Sequence, residues 1–415
     1  MPRPDAVAGE TAPRPRWLSI VGIGEDGIEG LTPVARSLVS GAEIVFGGRR
    51  HLGLAAPLIR GATRPWPTPF ARAAEAVLAE RGRQICVLAS GDPYCYGIGA
   101  TLARHIDPRE TLAVPAPSAF SLAAARLGWA LPATALISLC GRELDLVRPR
   151  LHPGARVLAL TSDGETPAAL AKLLATAGFG ASSFTVMEAL GGPRERIRST
   201  RAEAFDLNPI DPLNTVAIEV AATDAAQVIA RAPGLPDAFF EHDGQITKRE
   251  VRAVTLSSLA PRLGELLWDV GAGAGSIAIE WMLAHHSLQA IAIEARAERA
   301  ARIRRNAAAL GVPGLEIVEG MAPAALAGLP APHAIFVGGG ASEPEQIEAV
   351  VEALRPGGRL VINAATLETE ALLIARHSAL GGELIRIAIS RAEPMGAMTA
   401  WRPALPVTQW RWVKP

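Results

Sequence analysis

Between positions 266 and 278 the chain reads L-L-W-D-V-G-A-G-A-G-S-I-A, an apolar run followed by glycines at alternate places, Gly271, Gly273 and Gly275. Glycines let a turn take positive φ and leave backbone N–H groups bare, a surface on which a nucleotide-like ligand can settle closely. Glu294 lies nineteen residues beyond Gly275, at the end of a second apolar run over 288–293. A carboxylate there can accept both hydroxyl protons of a ribose. The spacing is not that of the dinucleotide fingerprint G-x-G-x-x-G, because the third glycine comes one residue early and Ser276 takes its place. A second glycine-rich stretch, 89–99, combines Ser-Gly-Asp-Pro with two tyrosines and follows a buried strand, the end at which open α/β sheets bind ligands. Two candidates for moving a proton stand in the second half, Glu280 and His242. Lys248 and Arg252, four apart, can bind an anionic substrate from one helix face. Thr247 and Glu250 have the spacing of a capping box. No catalytic triad or metal-ligand spacing is visible.

Strands and helices alternate around these residues, as in an α/β fold. In the first half, strands are predicted over 18–24, 42–46, 84–88 and just before 115, with a helix over 70–80 and another over 119–127. Thr32 is placed as an N-cap, with Pro33 at the first helical position. Further strands are predicted over 135–139, 156–161, 184–188 and 215–220, with a helix over 167–177. In the second half, R-P-G-G-R-L-V-I at 355–362 reads as a tight turn feeding a buried strand.

The chain has 415 residues and a formal net charge of +0, which implies no broad attraction to nucleic acid or to a membrane. Cys86, Cys95 and Cys140 have no paired spacing and fit a reducing cytoplasm. No apolar run approaches a membrane span. Residues 1–16, rich in Pro, Ala and Arg, read as a disordered tail, not a signal peptide. Lysine appears only at Lys172, Lys248 and Lys414, so nearly all basic residues are arginine, whose planar fork suits a substrate bearing many carboxylates.

D-V-G-A-G-A-G, the strand-end Glu294 and R-P-G-G-R-L-V-I together resemble the class I S-adenosylmethionine methyltransferases. In the first half, V-G-I-G, S-G-D-P-Y-C-Y-G-I-G and V-P-A-P-S-A-F-S-L-A-A-A-R-L-G resemble the tetrapyrrole methylase family, class III enzymes with two α/β lobes and the cofactor between them. S-L-C-G-R and M-E-A-L-G-G-P-R-E are similar to that family's inter-lobe loops, with Cys140 where relatives more often carry histidine. The string G-L-P-D…T-K-R-E-V-R-A…L-W-D-V-G-A-G-A-G-S-I-A-I-E-W resembles the decarboxylating precorrin methyltransferases of cobalamin synthesis.

The resemblance implies a two-lobed tetrapyrrole methylase domain over 17–225, with lobes of about 17–131 and 132–225. A linker over 226–236 and a Rossmann-like class I methyltransferase domain over 237–415 would follow. It implies S-adenosyl-L-methionine at two sites per chain. Gly24, Gly91, Asp92, Pro93 and Ser118 would bind it in the first domain. Gly271, Gly273, Gly275, Glu294, Gly320, Met321 and Gly338 would bind it in the second. The implied substrate is a tetrapyrrole, precorrin-6B (6Y), methylated at C5 by the first domain. The second would methylate C15 and remove the carboxyl of the C12 acetate, giving precorrin-8. A cobalt-bearing precorrin is the alternative substrate, and an RNA methyltransferase or a nicotinamide-binding scaffold the alternative class. Neutral charge and the lack of an N-P-P-Y or D-P-P-Y loop oppose RNA, and the early Gly275 opposes nicotinamide. A homo-oligomer without nucleic-acid or membrane partners is expected. Two departures stand out: Met321 replaces the acid usual near the adenine amine, and His333 sits where many methyltransferases place an aspartate.

Overall fold

The computed structural model describes residues 16–338 and 343–415. Nearly all of the expected tail, and Gly339 and Gly340, lie outside the described residues. The chain forms two compact units. One runs to Arg142 and resumes over Pro153–Asp224, and the other comprises Glu143–His152 and Ala225–Pro415.

The first unit contains two five-stranded sheets. Strands β1 (Leu18–Ile23), β2 (Ile44–Gly47), β3 (Ala62–Pro65), β4 (Ile85–Ser90) and β5 (Thr111–Val114) form an all-parallel sheet in the order β3-β2-β4-β1-β5. The oxygen of Thr32 accepts the Ala35 N–H at 3.2 Å, and Pro33 opens the helix Pro33–Gly41, as the sequence predicts. The predicted helix over 70–80 splits into a 3-10 turn, Phe70–Arg72, and a short helix, Ala73–Leu78. Strands β6 (Thr134–Ser138), β7 (Arg156–Leu160), β8 (Ser183–Glu188), β9 (Arg196–Arg201) and β10 (Asn214–Glu219) form the second sheet, ordered β6-β7-β10-β8-β9. Only the β6–β7 pair is parallel. Strand β9, R-I-R-S-T-R, has no apolar alternation to reveal it. It is an edge strand whose Arg196 and Arg198 both bind the buried Glu188 of β8, at 2.6 and 3.1 Å.

In the second unit, strands β11 (Leu266–Val270), β12 (Gln289–Glu294), β13 (Glu316–Glu319), β14 (Ala334–Val337) and β15 (Arg359–Ala364) are parallel. Strands β16 (Glu383–Ile387) and, beyond a hairpin of β17 (Ser390–Met395) and β18 (Met398–Pro403), β19 (Val407–Val413) complete it. The order is β13-β12-β11-β14-β15-β19-β16, with β19 antiparallel to both neighbours. All five residues of β11 are buried, as in a strand covered on both faces. Because side chains alternate, Leu266, Trp268 and Val270 enter one core while Leu267 enters the other, and Asp269 shares the face of Leu267.

Two local expectations fail. The stretch 226–236 is packed onto the second unit, since Ile229 and Leu235 are buried in its core. Its Pro-Gly composition makes a turn, yet its apolar side chains find a surface to cover. The capping box does not form either. The helix begins at Arg249 after Lys248, with no side-chain cap, and Glu250 instead pairs with Arg391 of β17.

Candidate functional site

Each unit has a cavity at the carboxyl ends of its parallel strands. In the second unit, the turn between β11 and the helix Ser276–Ala284 has φ of +71° at Gly271, +61° at Gly273 and +75° at Gly275, which favour glycine in all three. A Cβ on Gly275 would lie 2.7 Å from the Ile303 side chain, so helix and turn meet there without room for more. The Gly271 and Ala272 N–H groups both donate to the Ile293 carbonyl of β12, at 2.9 and 3.1 Å. Gly273 donates its N–H to Glu294 at 2.9 Å, and Glu294 also accepts the Arg296 N–H at 3.0 Å. The Glu294 carboxylate thus stands beside the turn, and two bonds leave part of its acceptor capacity free.

Asp269 contributes what the sequence reading left unassigned. Its Oδ2 accepts the Ala278 N–H at 3.0 Å, satisfying an otherwise orphaned donor in the helix's first turn. Burial pushes its carboxyl up to about 7, the charge of Glu294 adds to this, and the Ala278 N–H opposes it. The signal available was a lone acid in a wholly apolar strand, a residue type almost never fully buried without cause.

The cavity in front of this turn has a volume of about 450 Å³ and is lined by Gly271, Gly273, Asp269, Gly338 and Asn363 among others. Lys248, Arg299 and Arg391 line it, each beside an acid (Asp237, Asp243 and Glu250 in turn), while Ile277, Phe336, Ile387 and Val407 make it largely apolar. Gly271, Gly273 and Gly338 are the predicted cofactor residues that line it, whereas Gly275, Glu294, Gly320 and Met321 do not. Gly320 follows β13 and donates its N–H to the Glu294 carbonyl at 3.0 Å, and the Met321 side chain is exposed.

Three other candidates fall elsewhere. Glu280 accepts the Gly234 N–H at 2.6 Å, the Leu235 N–H at 3.0 Å and Arg252 Nε at 2.6 Å, all away from the glycine turn. Arg252 is wholly buried. It also donates to Asp237 at 3.1 Å, to the Thr247 carbonyl at 2.5 Å and to the Leu235 carbonyl. With those partners Arg252 has no free face for a substrate, so only Lys248 of the predicted basic pair reaches the cavity. Four-residue spacing places two side chains near one another but does not say which of them faces inward. His242 is exposed, and its Nδ1 accepts the Gly244 N–H at 3.1 Å. His333 precedes β14, at the far end of the sheet, where Nδ1 accepts the Leu266 N–H at 3.0 Å.

The first unit's cavity, about 270 Å³, lies between its two sheets and includes Gly24, Gly91, Ser118 and Cys140. Three strand ends are stitched together there. Gly91 N–H donates to the Ile23 carbonyl and Ala116 N–H to the Gly91 carbonyl, each at 3.2 Å. Gly91 has φ of +54°, and a Cβ on Gly22 would sit 1.9 Å from the Gly91 oxygen. Gly22, unlike Gly24, was not singled out by sequence, although both stand in V-G-I-G. Asp92 accepts the Tyr94 N–H at 2.8 Å, closing the turn, and Pro93 packs under Gly97 and Gly99. Neither faces the cavity, whereas Ser118 does while capping the helix Ala119–Leu127 through the Ser121 N–H at 3.1 Å. Arg50 reaches the cavity from the first turn of the helix Arg49–Ala55 after β2, bonded to Glu25 and, at 2.8 Å, to Ser90.

Comparison with known proteins agrees with both halves. Residues 18–206 match the tetrapyrrole (corrin/porphyrin) methylases and residues 238–414 the precorrin methyltransferase domain. A precorrin-6Y C(5,15)-methyltransferase [decarboxylating] of Sinorhizobium is 60% identical over 398 residues, covering 96% of each chain. Its counterpart from Mycobacterium tuberculosis is 42% identical over 394 residues, covering 94% of this chain and 98% of that one. The crystal structure of the C-terminal domain of precorrin-6Y C5,15-methyltransferase from Rhodobacter capsulatus is 48% identical, with a TM-score of 0.43, covering 45% of this chain and 100% of that one. Among the described residues, no helix is long and apolar enough to cross a membrane and no acidic, histidine or cysteine cluster suits a metal.

Proposed function

The chain belongs to the precorrin-6Y C5,15-methyltransferase (decarboxylating) family of cobalamin biosynthesis, and from that premise we propose that each of its units holds its own S-adenosylmethionine site. The observation that carries this reading is the pair of unlike cavities, each at the carboxyl ends of parallel strands, one built on the positive-φ Gly271 and Gly273 and the other on the positive-φ Gly91. The residues fit the cofactor: a bare glycine turn with Glu294 beside it in one unit, and the Gly24, Gly91 and Ser118 loops in the other. When bound, the cofactor supplies an electrophilic methyl on a sulfonium.

What the chain itself supplies is position and exclusion of water. In the second unit, Gly271 to Gly275 would seat the cofactor and Glu294 would take its ribose hydroxyls. Ile277, Phe336, Ile387 and Val407 keep the reacting face dry, and Lys248, Arg299 and Arg391 meet the carboxylates of the macrocycle. In the first unit, Arg50 has the same task. A meso carbon flanked by conjugated nitrogens is already nucleophilic, so neither methyl transfer calls for a strong base. The first unit methylates C5 of precorrin-6B. The second methylates C15 and removes the carboxyl of the C12 acetate, giving precorrin-8. Glu280 and Arg252 serve as a clamp that holds 234–237 against the second unit.

The free thiols of Cys86, Cys95 and Cys140 support work in the reducing cytoplasm, and the exposed Met398 and Trp401 of the β17–β18 hairpin support a homo-oligomer. Incubation of the full chain with precorrin-6B and S-adenosylmethionine tests the reading. The product should gain two methyl groups and lose one CO2, and a product with only one methyl group added contradicts it.

A further inference from the structure

A closed set of amides and hydroxyls lies behind the second unit's cavity. Asn363 of β15 pairs directly with Gln409 of β19, and the helix Arg249–Leu259 packs Thr255 and Ser258 against them. Gln409, wholly buried, donates from Nε2 to Asn363 Oδ1 at 2.8 Å and to Thr255 Oγ1 at 3.1 Å, and its Oε1 accepts from Ser258 at 2.6 Å. Asn363 Nδ2 donates to Thr255 Oγ1 at 3.0 Å, and the Thr255 hydroxyl donates to the Val251 carbonyl at 2.8 Å. Turning either amide over alone would set like groups against one another, so Asn363 and Gln409 hold their orientation as a pair. Among the described residues these bonds use both Gln409 donors and the Thr255 hydroxyl. They leave one N–H of Asn363, the member that lines the cavity.

Its place in the sheet says what that N–H meets. The ribose-binding Glu294 ends β12, on one side of β11, whereas β15 lies two strands away on the other side. Asn363 therefore lines the cavity on the side away from Glu294, the side left for the macrocycle when a ribose lies at Glu294. The three cations lining the cavity suit carboxylates that keep their charge. A carboxylate that must give its charge up is held back by a cation, because a charge-assisted bond strengthens the ground state more than the transition state. A neutral amide orients such a group with less of that penalty.

We propose that Asn363 binds the acetate carboxylate that the second unit removes, with Gln409 as its positioning residue. The bond between the acetate methylene and its carboxyl carbon breaks and its electron pair enters the conjugated macrocycle. CO2 departs, and a proton from water ends on the methylene, leaving a methyl group. Asn363 holds the breaking bond in line with the π system. The proposal rests on the assignment of decarboxylation to the second unit.

The test uses the full chain, precorrin-6B and S-adenosylmethionine, with products weighed over time. Asn363→Ala should slow CO2 loss on the order of 10- to 100-fold, the range for lost orientation at a reacting bond. C5 methylation and S-adenosylhomocysteine binding should be unchanged. If the alanine variant does not fold, Asn363→Asp, which keeps the size but repels a carboxylate, should give the same loss. Gln409→Met should lower kcat for CO2 release several-fold with KM unaltered, whereas a merely structural role would lower the folded fraction and leave the folded enzyme's kcat intact. CO2 loss at the wild-type rate from a folded Asn363 variant overturns the proposal. Wild-type protein that methylates C5 but releases no CO2 overturns the assignment of decarboxylation, and this inference with it.

Discussion

Arg252 Nε meets Glu280 Oε1 at 2.6 Å, and both side chains are buried. Two residues that sequence offered as substrate binder and proton donor thus neutralise one another inside the second unit. Removing one partner leaves an uncompensated buried charge, which typically costs about 3–5 kcal/mol. Arg252→Ala should therefore lower the urea midpoint of the second unit sharply. A variant that keeps its stability but loses decarboxylation would return the pair to the chemistry.

Gly273→Val should abolish C15 methylation and decarboxylation while C5 methylation persists. Position 273 has φ of +61°, which a β-branched residue resists, and the added carbon would stand 3.2 Å from the Gln245 carbonyl. Product masses check this directly. Loss of both methylations in a folded variant would rule out independent sites.

Asp269 links this cradle to pH. Its carboxyl, ordinarily at 3.8, is pushed up to about 7 by burial, so the folded chain holds a proton there that the unfolded chain has released. Stability should accordingly fall as pH rises from about 4 through 7, by about 4 kcal/mol in all. Asp269→Asn should remove that slope, as denaturation at pH 5 and pH 8 will show. A cationic ligand favours the ionised carboxylate, so S-adenosylmethionine should bind the second unit more tightly as pH rises through 7, and the asparagine variant should flatten this dependence.

In the first unit, Gly22→Ala should stop C5 methylation and leave CO2 release intact, since the new carbon would lie 1.9 Å from the Gly91 oxygen. Asp92→Ala should act more mildly, roughly 10-fold on the same reaction, because it loses one bond to the Tyr94 N–H that shapes the turn. Assay of both products in each variant decides the matter.

What could be read from the chain alone was whatever depends on local pattern. The β11 turn needs glycine at 271, 273 and 275 and therefore advertises itself, as do Thr32 and Pro33 at a helix start. Strand β9 escaped notice because its stability comes from arginines reaching Glu188 on a neighbouring strand, a contact absent from any window of adjacent residues. Arg252 was misread for a related reason: its partners at 235, 237, 247 and 280 are brought together only by packing. Asp269 and Asn363 sat within stretches already singled out or bordering them. Their importance arises from burial and from Gln409, which is far away in the chain.

Calorimetric titration of the full chain with S-adenosylhomocysteine tests the central claim most directly. Two sites per chain are predicted for the wild type and one for Gly273→Val. A single site in the wild type, or loss of all binding in a folded Gly273→Val, would contradict it.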